Sequence, residues 1–436
     1  MTTALTADII DLLSGLTPGD ELARLRDLRA QARENAQLSF VALLEPENPG
    51  QFSLAERYAV ALFVAQLHGF ADAEAFYADV LGDEAPALVD LLTGPDGLAA
   101  HAAASGPSGS YREPGLHEES TAARAWTPDE ADTAALGERL AAALAHAHLL
   151  VIRPREASPA ALGALVDAGW SADDIVSLSQ LIAFLTFQLR AAWGLRAVAG
   201  SAPGGAAAPA DPALPVVASG ESSAGQVSVA ASALITEYPD LSRPEAFTQQ
   251  GLGWVPWLAP VAEADLAADQ LDALVDPARA KMPYFRLLAR DPAALRARTL
   301  TDLDIFFNVT GGVGRAEREL AATAASRHNG CVFCASVHSA AATRESGRRD
   351  DVQRLLDEGV GADLGSDSWN AIVSASVALT NTPLSFGETD VRGLRDAGLG
   401  DAEIIDVVNG AAFFNWANRL MLSLGEPELP AKRVEQ

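Results

Sequence analysis

The chain has 436 residues, 58 acidic side chains against 31 basic ones, and a formal net charge of −27. That balance repels phosphate backbones and anionic bilayers, so neither nucleic acid nor membrane is expected as a partner. With 49% apolar residues and only two cysteines, the chain has a globular composition and room for two domains with full cores, and it is too cysteine-poor for a secreted disulfide scaffold.

The opening stretch, MTTALTADIIDLLSGL, lacks a basic region and carries Asp8 and Asp11. It does not read as a signal peptide, and a cytoplasmic location is expected. Leu12, Leu13, Leu16, Leu22, Leu25 and Leu28 recur near helical spacing, and Ser53-Leu54-Ala55-Glu56 has the form of a capping box opening another helix. From Gly94 to about Pro128 the composition turns to Gly, Ser, Pro and charge, which predicts a surface excursion. Helical pattern resumes over 131–148 and 158–198. The apolar run from Ile175 to Leu195 is interrupted by Ser177, Ser179, Gln180, Gln188 and Arg190, the mark of a buried helix and not of a membrane span.

From Gly200 the chain reads GSAPGGAAAPADPALPVVASGESSAGQ, a flexible Ala/Gly/Pro linker by composition. The domain boundaries drawn from it are 1–200, a linker at 201–241, and 242–436. Trp254, Val255, Pro256 and Trp257 then form an aromatic entry segment expected to pack on the second domain. Further helices are expected at 263–275, 283–290, 299–309, 366–380 and 401–424. No series of segments alternates with period two, so the fold class is all-α.

The two blocks repeat each other. Ala55-Glu56-Arg57 aligns with Ala316-Glu317-Arg318 and Gly69 with Gly330, an offset of 261. Asp167-Ala168-Gly169 aligns with Asp396-Ala397-Gly398, and Ile175, Phe184 and Arg190 with Ile404, Phe413 and Arg419, an offset of 229. The drop of 32 is about the length of the Gly94–Pro128 excursion. Two copies of one helical domain account for this better than a solenoid, whose period is shorter.

Chemistry concentrates in the second copy. Cys331 and Cys334, spaced Cys-x-x-Cys, are followed four residues later by His338, so on a helix all three share a stripe. An imidazole one turn from a thiol can take its proton or stabilise the thiolate, and the paired sulfurs can close a disulfide. Glu319 lies twelve residues before Cys331, about 18 Å away on one continuous helix. Asn329-Gly330 is a helix stop, and a reversal there would bring Glu319 back to His338. The choice of nucleophile stays open on these residues: proximity to the helix N-terminus favours Cys331, and the neighbouring His338 favours Cys334. Half a zinc site would need two more ligands, with only His328 and His338 nearby. A thioredoxin-type site would need a preceding strand, and two inert buried thiols would not explain the histidine. His328 reads as a cation at a helix C-terminus, and His68, His146 and His148 as surface or packing residues.

The pattern Glu-x11-Cys-x-x-Cys-x3-His resembles the alkylhydroperoxidase D signature within the carboxymuconolactone decarboxylase superfamily. With Phe414, Asn418 and Arg419 fitting that superfamily's closing helix, the resemblance covers most of 242–424 and is weaker over the first domain. It implies that Cys334 is the peroxidatic cysteine, Cys331 the resolving one, and Glu319 and His338 the proton relay. Members often carry a second histidine where this chain has Phe333. In the first copy the four positions become Tyr58, Phe70, Ala73 and Tyr77, so thiol chemistry is excluded there. The implied activity is that of a thiol-dependent alkyl hydroperoxide reductase acting on organic or hydrogen peroxide. No flavin, haem or nicotinamide motif is present, so no cofactor and no metal is expected, and electrons would come from a lipoyl-bearing or thioredoxin-like dithiol protein. Association through helical faces into a homo-oligomer is implied as well. The alternatives are a lactone decarboxylase, as in superfamily members without paired cysteines, and a non-catalytic redox sensor or scaffold.

Overall fold

Helix ends fall where local capping chemistry puts them. Ser53 accepts from the Glu56 amide while the Glu56 carboxylate returns a bond to the Ser53 N–H at 2.9 Å, and the helix so opened closes on Gly69 at φ 67°. In the computed structural model, which describes residues 8–200 and 231–430, such helices dominate, and the fold is all-α. Six helices of the first half are α1 (Ala30–Leu44), α2 (Leu54–His68), α3 (Ala71–Glu84), α4 (Glu138–Ile152), α5 (Pro159–Asp167) and α6 (Ala172–Val198). Six of the second half match them: α7 (Pro292–Phe307), α8 (Arg315–Asn329), α9 (Val332–Ser346), α10 (Asp367–Thr380), α11 (Glu388–Asp396) and α12 (Asp401–Leu424). The starts of α2 and α8, and of α3 and α9, lie 261 residues apart, while the last three pairs are each offset by 229.

Equivalent helices also pack on each other, α6 against α12 and α1 against α7. The contacts are reciprocal, as a two-fold interface requires. Arg190 donates to the Thr380 carbonyl (2.8 Å) and its counterpart Arg419 to the Val151 carbonyl (3.2 Å), with Val151 and Thr380 themselves equivalent. Phe184 meets Trp416 (5.2 Å between centroids) and Phe187 meets Phe413 (6.1 Å). Nearest the pseudo-axis, Phe187 stacks on Trp416, its own counterpart, at 5.6 Å. One continuous apolar core therefore runs through both halves. Helix α6 is long and apolar enough to cross a membrane by length and composition, but 94% of its most apolar window is buried inside the protein.

Several expectations need correction. The helix expected at 299–309 begins at Pro292, because Asp291 caps it by accepting from the Ala294 amide and proline suits the first turn. The segment 131–148 breaks at Gly137 (φ 78°) into Glu130–Leu136 and α4, and 158–198 breaks at Gly169 (φ 90°) into α5 and α6. The stretch 263–275 holds only a 3-10 turn and the short helix Ala268–Ala273. The linker assigned to 201–241 lies over 201–230 outside the described residues. Its remainder packs on the second half: Ile235 bridges Leu258 and the Tyr238 hydroxyl donates to the Pro256 carbonyl at 2.9 Å. Nor does the Gly94–Pro128 excursion stay on the surface. Leu98, Ala102, Tyr111 and Leu116 are buried, and Gly106 pairs with Thr382 of the other half. The aromatic entry segment is a strand, β1 (Gly253–Pro256), antiparallel to β2 (Gly425–Glu428), with the Trp254 indole donating to the Met421 carbonyl at 3.1 Å.

Candidate active site

The reversal that brings the motif together is made by Gly330, in the left-handed region at φ 82°. The Cys331 amide bonds back to the Ser326 carbonyl at 2.9 Å, and Cys331 then caps α9. Helices α8 and α9 lie against each other, so Glu319 faces His338 across the pair. Glu319 Oε2 is 2.6 Å from His338 Nδ1, and Glu319 Oε1 accepts from Arg315 Nε at 3.1 Å. All four residues singled out by their spacing therefore converge: Glu319 is 2% exposed, Cys331 1% and Cys334 4%, with both thiols free.

Their electrostatics separate the two sulfurs. Burial by itself would push the Cys334 thiol up, but hydrogen bonding from Cys331, the charge of His338, the Asn418 amide and Arg298 outweigh it and hold Cys334 below the usual thiol range. Cys331 moves the other way: burial, its bond to Cys334 and the charge on Cys334 raise it well above that range. For His338, burial opposes the charge, yet the hydrogen bond and charge of Glu319, then Cys334, raise it overall. Glu319 is likewise held low, because His338 and Arg315 overcome its burial. With Nδ1 committed to Glu319, Nε2 is the nitrogen left to exchange a proton. The imidazole is braced edge-on against Phe414 at 4.0 Å and by Phe306 at 5.7 Å.

Three residues around the Cys334–His338–Glu319 site were not singled out by the sequence. Arg298 is 5% exposed, makes no ion pair among the described residues, and lies over Phe413 (5.1 Å) and Tyr284 (5.8 Å). The Tyr284 hydroxyl is buried with no hydrogen-bond partner among the described residues. Asp302 is raised by burial, against the pull of Arg298 and His338. Because α7 starts earlier than expected, Arg298 fell outside the predicted helix, and an Asp-Pro capping signal was the missed cue. Asn418, read only as part of the closing helix, reaches Cys334 while held by Ser326 (2.9 Å) and Asn329 (3.0 Å).

His328 is corrected. Burial lowers it, against the pull of Asn381, and its Nε2 is tied to Asn381 Oδ1 at 2.8 Å, so the charged form expected at a helix end is disfavoured. His68, His146 and His148 are all buried packing residues, none on the surface. In the first half the equivalent site is filled: Tyr58, Phe70, Ala73 and Tyr77 are buried, Tyr77 donates to Gln188, and Phe70 meets Trp193 at 5.2 Å.

No curated protein matches the chain significantly. Residues 292–376, which contain Glu319, Cys331, Cys334 and His338, match the model of the Carboxymuconolactone decarboxylase family. The second half of the protein thus contains, over residues 292–376, a segment that matches the Carboxymuconolactone decarboxylase family.

Proposed function

We propose that the protein is a thiol-dependent alkyl hydroperoxide reductase. The observation that carries this reading is the His338–Glu319 pair at 2.6 Å beside a Cys-x-x-Cys turn, where His338 lowers the Cys334 thiol while burial and Cys334 raise that of Cys331. Cys334 attacks the O–O bond of the peroxide, the S–O bond forms, and the alkoxide leaves with a proton from His338. Arg298 supplies positive charge to the thiolate and to the departing oxygen. Cys331 then condenses with the sulfenic acid, water is released, and a dithiol protein, lipoyl-bearing or thioredoxin-like, reduces the disulfide. The test is a steady-state peroxidase assay over organic and hydrogen peroxides with several dithiol donors. Absence of peroxide consumption with every donor overturns the reading. The family description favours one alternative, decarboxylation of a carboxymuconolactone, which incubation with that lactone and product analysis would detect.

The relay gives a pH prediction. Glu319 raises His338, and protonated His338 lowers Cys334. Either Glu319→Gln or His338→Ala therefore shifts the pH midpoint for alkylation of Cys334 upward, and peroxide turnover at neutral pH falls by about 10²-fold. An alkylation profile unchanged in both variants removes the pair from the mechanism.

A further inference from the structure

In this thiol-peroxidase mechanism the relay serves Cys334, while Cys331, held protonated, must lose a proton as it attacks the sulfenic acid. Cys331 borders a cavity of about 20 Å³, above the roughly 10–15 Å³ that one water needs. Arg112, Glu113 and Arg155 of the first half line it, together with Gly330, Cys331 and Phe333 of the second. Glu113 is the only carboxylate in that lining. The position where family members often have a histidine is here an apolar ring on the cavity wall.

We propose that Glu113 is the general base for Cys331, taking its proton through a water in this cavity during disulfide formation.

The first half builds this wall closely against the cysteine turn. A Cβ at Gly330 would sit 3.1 Å from both Arg155 Nε and Tyr111 Cε1. Arg155 is fixed over the Tyr111 ring at 4.4 Å and donates to the His328 carbonyl at 2.9 Å, and Arg112 lies over Trp257 at 4.9 Å. Arg112 Nη2 and Arg155 Nε are buried donors with no partner among the described residues. Such donors suit a bridging water. The charged and titratable groups facing Glu113 are Arg112, Arg155, Tyr111 and the Cys331 thiol. Burial raises Glu113, and the backbone amides of Glu113 and Arg112 together with the charges of Arg112 and Arg155 draw it only part of the way back, which brings it nearer the thiol it must deprotonate. Tyr111 to Glu113 belong to the Gly94–Pro128 excursion, the insertion that distinguishes the first copy from the second.

In the step, the Cys331 S–H bond breaks and its proton passes through the water to Glu113. The Cys331 sulfur bonds to the Cys334 sulfur as the S–O bond of the sulfenic acid breaks. The departing hydroxide becomes water by taking a proton from His338, which has regained one from solvent since the alkoxide left. One proton enters at His338 and one leaves at Glu113, and no oxidant beyond the peroxide is consumed.

The test adds one equivalent of cumene hydroperoxide to the reduced full-length protein and follows sulfenic acid by trapping and disulfide by mass. Glu113→Gln is expected to form sulfenic acid at the wild-type rate but disulfide about 10²-fold more slowly, with Glu113→Asp recovering part of the loss. In a Cys334→Ser background, Glu113→Gln should also lower the pH at which Cys331 alkylates, since the carboxylate repels its thiolate. A wild-type disulfide rate in Glu113→Gln overturns the role of Glu113 alone. A wild-type protein that forms no sulfenic acid overturns the peroxidase reading and this role with it.

Discussion

Serine in place of Cys334 is expected to leave the protein unable to react with peroxide, whereas serine in place of Cys331 is expected to permit one turnover and then stop. The difference follows from the neighbours of each sulfur. Cys334 has His338, Asn418 and Arg298 to hold its thiolate, and Cys331 has burial and the charge of Cys334 against it. Only a thiolate attacks at a useful rate, so loss of Cys334 removes the reaction and is not compensated by its partner. With Cys331→Ser, the sulfenic acid forms but has no thiol to condense with, and it persists or over-oxidises. A sulfenic-acid trap followed by intact mass should show one adduct per chain in Cys331→Ser and none in Cys334→Ser. The opposite labelling would reverse the assignment of roles.

Separating the halves is expected to cost the second half its independent fold. Helix α12 is buried along nearly its whole length, and much of that burial is against α6. Removing residues 1–230 would strip the cover from Val408, Phe413 and Trp416, which touch Gly194, Phe187 and Phe184. At roughly 2 kcal/mol per large apolar side chain, that loss of about 6 kcal/mol is comparable with the whole stability of a domain, roughly 5–15 kcal/mol. Arg419 would also lose the Val151 carbonyl that accepts from it. A 231–436 fragment should therefore aggregate, or pair with itself through the α12 face, and adding 1–200 should restore the native size. The full chain has spent this self-complementary face internally, so it is expected to form a smaller homo-oligomer than a single-copy relative. Sedimentation velocity on the fragment, alone and mixed, is the measurement. A monodisperse, active fragment indifferent to 1–200 would sink the argument.

The sequence by itself determined whatever depends on spacing along one helix or on a single stop signal. Cys334 and His338 share a helix that Cys331 caps, Gly330 ends the helix before it, and an antiparallel return is the only way Glu319 can meet His338. The register between the copies was legible too, because the helix starts keep the offsets of their anchors. What spacing cannot carry is which residues from distant segments close around a site. Arg298, Tyr284 and Asn418 act on Cys334 from other helices, and Glu113 lines a cavity beside Cys331 from the other half of the chain. An excursion rich in Gly, Ser and Pro reads as surface by composition, since its polar residues leave no periodic apolar face. Only the tertiary structure puts Tyr111 and Leu116 against Phe247 and Val332, where a few apolar side chains suffice to seat it on the cysteine helix. Composition likewise suggested two domains on a linker, and it was the reciprocal packing of α6 on α12 that made the two copies share one core.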